Sequence, residues 1–198
     1  MRASRFIALL TLTLSLMVIS KPVLAHSDVE YRQLFRQGLA AEEDQNFAHA
    51  ESIWQRLLRE YGDLLNRDAR ATLYTNLGVS LAHQERWQEA TLAYQRSIAL
   101  HPTSLGYNNL GVALRNAGRV EEAIATFHQA LTYSNEDATA TNAYTLVHFN
   151  LGDILQQQGN LEAALAEYQQ ALTFDSNFRA AEEQIRRIQL ALHKTASA

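Results

Sequence analysis

Residues 106–111 read GYNNLG, that is Gly106-Tyr107-Asn108-Asn109-Leu110-Gly111, with two glycines five apart. A phosphate-binding loop begins with this spacing but ends in Gly-Lys-Ser/Thr, because the lysine and hydroxyl reach phosphate and magnesium. Here Gly111 is followed by Val112 and Ala113, so the groups that carry nucleotide chemistry are missing. The stretch has two near copies instead, Thr75-Asn76-Leu77-Gly78 and Phe149-Asn150-Leu151-Gly152. The fold follows from why Asn-Leu-Gly recurs.

Aligned on Gly38, Gly78, Gly111 and Gly152, the chain repeats itself four times. Twelve residues after each glycine comes Ala50, Ala90, Ala123 or Ala164; sixteen after it, Trp54, Tyr94, Phe127 or Tyr168; nineteen after it, Leu57, Ser97, Ala130 or Ala171. Two apolar columns lie between, Ala41, Leu81, Leu114, Leu155 and Phe47, Trp87, Val120, Leu161. Apolar residues three and four apart, such as Leu110 and Leu114, then Ala123, Phe127, Ala130 and Leu131, draw one stripe on each of two helices per unit. A glycine inside a helix costs about 1 kcal/mol against alanine, so four at one register predict a close approach, with the aromatic filling the space beside it. Asn116-Ala117-Gly118 and Gln158-Gly159 supply a left-handed helix end in the last two units, where the first two have Gln45-Asn46 and Gln84-Glu85. His101-Pro102 stops the second helix of unit two.

This pattern resembles the tetratricopeptide repeat. Unit two, from Tyr74-Thr75-Asn76-Leu77-Gly78 through Ala90, Tyr94 and Pro102, matches its signature at nearly every position. Unit one departs at Gln37 and Gly62, and units three and four carry Asn135 and Ser176 where the family has proline. The resemblance spans residues 29–176 and implies an all-α fold, a right-handed α-solenoid of four helix pairs near 31–63, 71–102, 104–135 and 145–176. Residues 177–198 then form a capping helix, Phe178 to His193, and a frayed tail from Lys194 to Ala198.

The spacing is uneven. Gly78 to Gly111 is 33 residues, but Gly38 to Gly78 is 40 and Gly111 to Gly152 is 41, against about 34 for the family. The additions fall at residues 63–68 and 134–141 and amount to nearly two helical turns each. They predict longer first helices in units two and four, capped by Asn66 or Asp68 and by Asn135 or Asp137. Ser27-Asp28-Val29-Glu30 reads as a capping box opening the first helix.

At the amino end, Arg2 and Arg5 precede the uncharged run Phe6 to Ser20, and Val23-Leu24-Ala25 offers a cleavage site. This is the form of a secretory signal peptide, residues 1–25; the run is shorter than the ~20 residues of a spanning helix, and Lys21-Pro22 ends it. The expected product is exported, to the periplasm first and otherwise to the extracellular space or a thylakoid lumen, with no stable membrane insertion after cleavage. The chain has no cysteine, which excludes disulfides, thiolate chemistry and lipid attachment there. Losing Arg2, Arg5 and Lys21 takes the formal charge from −4 to −7, which argues against nucleic acid as a partner.

In the family resembled, the first helices line a concave groove. Its positions fall here on Phe35, Arg36 and Glu43; on Thr75, Asn76, Val79 and His83; on Asn108, Asn109, Val112, Arg115 and Asn116; and on Phe149, Asn150, Asp153, Gln156 and Gln157. Asn76, Asn109 and Asn150 share one register, although asparagine is a poor helix former. The resemblance implies two uses, a ladder gripping the backbone of an extended peptide or amide bonds between neighbouring helices. Three such contacts at about 1 kcal/mol each fall short of the ~8 kcal/mol of micromolar binding. Phe35, Val79, Val112 and Phe149 must then supply the anchoring, with Arg115 and Asp153 setting charge. A two-carboxylate clamp of the chaperone-adaptor kind would need lysines that the groove lacks, since Lys194 is the only lysine after residue 25.

Catalysis has little to work with. The seven histidines show no pair at i and i+4, so no metal or cofactor is expected. The acidic pairs Glu42-Glu43, Glu121-Glu122 and Glu182-Glu183 read as solvated faces. The function expected is a non-catalytic scaffold or adaptor that holds a protein or peptide in the cell envelope. Two others stay open: an accessory or assembly subunit of a membrane-associated enzyme complex, and a homo-oligomer.

Overall fold

The computed structural model describes residues 25–133 and 138–196. The signal-peptide segment, but for Ala25, and the cap candidates Asn135 and Asp137 lie outside the described residues. Among those described, nine α-helices follow one another: α1 (Ala25–Glu43), α2 (Phe47–Tyr61), α3 (Arg67–His83), α4 (Trp87–Leu100), α5 (Ser104–Asn116), α6 (Val120–Thr132), α7 (Ala138–Gln157), α8 (Leu161–Phe174) and α9 (Arg179–Ala196). They pair as α1/α2, α3/α4, α5/α6 and α7/α8. Each pair packs on the next through its second helix, and α9 closes the array against α8. The fold is an all-α solenoid of tetratricopeptide type.

The glycine column is the seam of each pair. A Cβ placed on Gly111 would sit 2.5 Å from Cε1 of Phe127, and one on Gly38, Gly78 or Gly152 would meet Trp54, Tyr94 or Tyr168 at 2.7 Å or less. Real Cβ contacts are essentially never so short, so each aromatic packs directly against bare helix backbone. Ala50, Ala90, Ala123 and Ala164 are fully buried beside them, as are Trp54, Phe127 and Tyr168. One core runs from α1 to α7, and a second, smaller one joins α8 to α9 through Tyr168, Ala171, Ala181 and Ile188.

The added residues lengthen helices as expected. α3 has 17 residues and α7 has 20, against 13 in α5. Part of the first addition instead forms a 3-10 turn, Gly62–Leu64, which sets Leu65 into the core. Asn66, not Asp68, caps α3 by accepting from the Ala69 amide at 2.8 Å. Asp68 turns outward to His101 Nδ1 at 2.7 Å.

Two expectations at the ends change. α1 already runs from Ala25, so Ser27 lies within the helix and not at its cap; Asp28 instead pairs with Arg32 one turn on at 2.6 Å. α9 continues to Ala196, past the point where a frayed tail was expected, since no proline or glycine interrupts it. Gln45 and Glu85 occupy the left-handed position at φ 59°, the geometry that Gly118 and Gly159 adopt in the later units at 79° and 80°. The turn shape is common to all four units, while the residue suited to it occurs in only two.

Candidate functional site

The inner side of the solenoid follows from which helices touch. α5 packs directly on α7, whereas α6 and α8 do not pack on each other in that way. Between units three and four the first-helix side is therefore the shorter, concave side.

The expected apolar anchors divide. Phe35 turns into its own unit, edge-on to Trp54 at 5.3 Å and stacked on Tyr31 at 6.1 Å. Phe149 likewise lies 5.5 Å from Tyr168 and 5.2 Å from Phe178. These two expected anchors are already engaged by their own chain. Val79 and Val112 are half-buried, each one residue after its glycine, and Leu39 joins them at the same register. Leu39 was not singled out from sequence, although its place directly after Gly38 marks it. The fourth member of this column is Asp153. Further along the same side, the His83 ring stacks face to face on Phe47 at 4.1 Å, and burial lowers its pKa.

The three asparagines also part company. Asn150 donates through Nδ2 to Oδ1 of Asn108 at 3.1 Å, joining α7 to α5, and both are buried. Arg115 Nη1 then donates to Asn150 Oδ1 at 3.3 Å and stands 3.6 Å from Asp153 Oδ2. Asn108 and Asn150 thus bond between helices, and Arg115 and Asp153 largely neutralise one another. Asn109 is half-buried. Asn76 is only 8% exposed, and its Nδ2 has no hydrogen-bond partner in the structure. A buried donor without an acceptor costs about 1–3 kcal/mol, and of the three it is the half-buried Asn109 that is the most accessible.

At the carboxyl-terminal end the groove becomes polar. Tyr168 Oη lies 2.8 Å from Asp153 Oδ1 and 2.7 Å from Gln156 Oε1. A phenol has one proton, and the carboxylate is the stronger acceptor. The Tyr168 proton therefore belongs to Asp153, and Gln156 satisfies the phenol oxygen with its NH2, amide orientation being interchangeable. Burial, and then the Asp153 bond, push the Tyr168 pKa upward, so the phenol stays neutral. Beside it opens a cavity of about 390 Å³ lined by Asp153, Gln156, Gln157 and Gln184. Gln184 Oε1 is buried there without a partner.

The opposite end is a built seam. Glu42 Oε1 accepts from Trp54 Nε1 at 2.9 Å and from Ser80 Oγ at 3.0 Å, joining unit one to unit two. Glu42 is thus not part of a solvated acidic face; successive helical residues point about 100° apart, and only Glu43 is exposed. Desolvation raises the Glu42 pKa, and the two hydrogen bonds partly oppose it. Burial and the Glu42 charge push Tyr94 upward as well. Nearby, Glu51 Oε2 accepts from Gln84 Nε2 at 2.9 Å and Arg86 Nη1 at 2.6 Å. These groups hold units together by hydrogen bonding. Among the described residues no three His, Asp or Glu side chains gather so as to hold a metal ion, and no helix is long and apolar enough to cross a membrane.

Two models of the tetratricopeptide repeat match the chain, one over residues 35–104 and the other over 102–177. Among solved structures, PilF of Pseudomonas aeruginosa superimposes with a TM-score of 0.68 at 18% identity, covering 84% of this chain and 71% of that one. MamA gives 0.61 at 16%, covering 79% and 84%. The first such domain of Spaghetti (RPAP3), bound to the HSP90 peptide SRMEEVD, gives 0.53 at 20%, covering 64% and 95%. At these identities the likeness is one of fold. No curated protein matches.

Proposed function

The chain belongs to the tetratricopeptide repeat family, whose members are generally protein-interaction scaffolds, and from that premise we propose that its own work is non-catalytic: to hold a protein or peptide segment in the concave groove. The observation that carries this reading is the half-buried aliphatic row Leu39, Val79 and Val112, held at one register on three successive first helices. Such a row, with the half-buried Asn109 on the same helix as Val112, offers apolar contact and a hydrogen-bonding amide. Burying the rest of each aliphatic side chain contributes on the order of 1 kcal/mol, and one amide bond about the same. The sum lies below the ~8 kcal/mol of micromolar binding, so the groove suits a weak, exchangeable partner unless contacts at its ends add to it.

The reading includes export. The basic start, short apolar run and Val23-Leu24-Ala25 support a secreted precursor whose product acts in the cell envelope. Crosslinking in native envelope followed by mass spectrometry tests both parts, comparing wild type with Val79→Glu and Val112→Glu chains whose helical circular dichroism is unchanged. Partners lost from both variants are expected. An identical partner set would remove the groove from the account, and recovery of the unprocessed chain in the cytosol would remove export.

A further inference from the structure

We propose that Tyr107 and Tyr133 form an oxidative crosslinking site, at which a one-electron oxidant joins the two phenol rings carbon to carbon as dityrosine. Tyr107 lies in the first turn of α5, and Tyr133 caps the end of α6, 26 positions later. Their rings stack with centroids 4.9 Å apart and planes 24° from parallel. The two hydroxyl oxygens are 3.4 Å apart, closer than the centroids, so the stack narrows toward its phenol ends. The ortho carbons flank the hydroxyl-bearing carbon and therefore lie at that narrow end. Both side chains are half-buried, which leaves the pair within reach of solvent.

Among the described residues no other two tyrosines are so placed. Tyr31 and Tyr61 meet edge-on at 70°, and both are buried. Tyr94 and Tyr168 are buried against the glycines of their own units. Tyr74 carries the Arg96 guanidinium over its ring at 5.7 Å, and a cation there opposes the loss of an electron. Tyr144 packs on Phe174, its hydroxyl donating to the Tyr133 carbonyl. The chain has no cysteine, and its two methionines are Met1 and Met17, so nothing from residue 26 onward carries sulfur. Thiolates and thioethers are the side chains that oxidation ordinarily takes. In their absence it passes to aromatic rings.

The reaction balances with hydrogen peroxide and a haem peroxidase as the oxidant. Each phenol gives up one electron and its hydroxyl proton, leaving two tyrosyl radicals whose unpaired electrons lie partly on the ortho carbons. Those electrons form the new carbon–carbon bond. Each ring then passes the hydrogen of its bonded ortho carbon to its oxygen, which restores both phenols. The peroxide takes up the two electrons and two protons and leaves as two waters. The bond ties the first turn of α5 to the end of α6 and closes unit three, as a cystine would in a chain that had cysteine.

The test exposes the purified chain at high dilution to a haem peroxidase and hydrogen peroxide, beside Tyr107→Phe and Tyr133→Phe. Both variants keep the ring and lose only the hydroxyl, and their folding is checked by helical circular dichroism. Products are read by intact mass, dityrosine fluorescence and peptide mapping. The expected product is a monomer lighter by two hydrogens, with the peptides that hold Tyr107 and Tyr133 joined, and dityrosine emission at background in both variants. A crosslink that persists in either variant, or that joins two chains, overturns the assignment. So does oxygen added to Trp87 with both tyrosines unchanged.

Discussion

Asn150 on α7 donates to Asn108 on α5 across 3.1 Å, a bond between two buried amides from neighbouring repeats. Both residues stood among the sequence candidates for ligand contact, and the structure gives them work inside the fold. Asn108→Ala would leave the Asn150 NH2 buried without its acceptor, at a cost of about 1–3 kcal/mol. Urea denaturation is expected to show that loss, while affinity for groove peptides stays within twofold. A stability unchanged from wild type would mean that the amides find other partners.

Gly111 faces Phe127 with room for no further atom, a Cβ there lying 2.5 Å from the ring. Gly111→Ala is expected to destabilise by about 1–3 kcal/mol through overpacking, despite alanine being the better helix former. Phe127→Leu removes the ring, so the double variant should lose less than the two singles combined. Additive losses in thermal melts would contradict the close-packing account.

Gln45 and Glu85 hold φ at 59°, where a Cβ is strained. Replacing either by glycine, as Gly118 and Gly159 already stand in units three and four, should stabilise by about 0.5–1 kcal/mol. Chemical denaturation of Gln45→Gly and Glu85→Gly decides the matter. A decrease in stability would show that the turns are not strained by their side chains.

Glu42 has its pKa raised, chiefly by desolvation. A carboxyl whose folded pKa lies above its unfolded value binds more protons when folded, so stability falls as pH rises from the unfolded value through the raised one. Glu42→Gln keeps an oxygen for Trp54 and Ser80 without the charge. Its melting temperature relative to wild type should therefore climb between acid and neutral pH. A difference independent of pH would show that Glu42 titrates normally.

The columns of glycine, alanine and aromatic were readable because each records a close approach that only those sizes permit, and such a constraint repeats wherever the helix pair repeats. Asn66 was readable as a cap for the same local reason. The pairing of Asn108 with Asn150 was not, because adjacent repeats meet offset by one residue, so register identity across units misleads about contact. Glu42 and Glu43 look alike in the sequence; only the approach of Trp54 and Ser80 from other helices separates them. Gln184 escaped notice altogether, since its place in the cavity depends on how α9 lies across the end of α7 and α8. Phe35 and Phe149 sat at groove positions, but ring–ring packing with Trp54, Tyr168 and Phe178 drew them inward.

The ninth helix packs on one side only, through Ala181, Ile185, Ile188 and Leu192 against α8, in a core separate from the main one. Tension applied at the carboxyl end would therefore reach α9 before any repeat and lift Gln184 away from Asp153 and Gln156. The array would lose one wall of its polar cavity while its seams stayed shut.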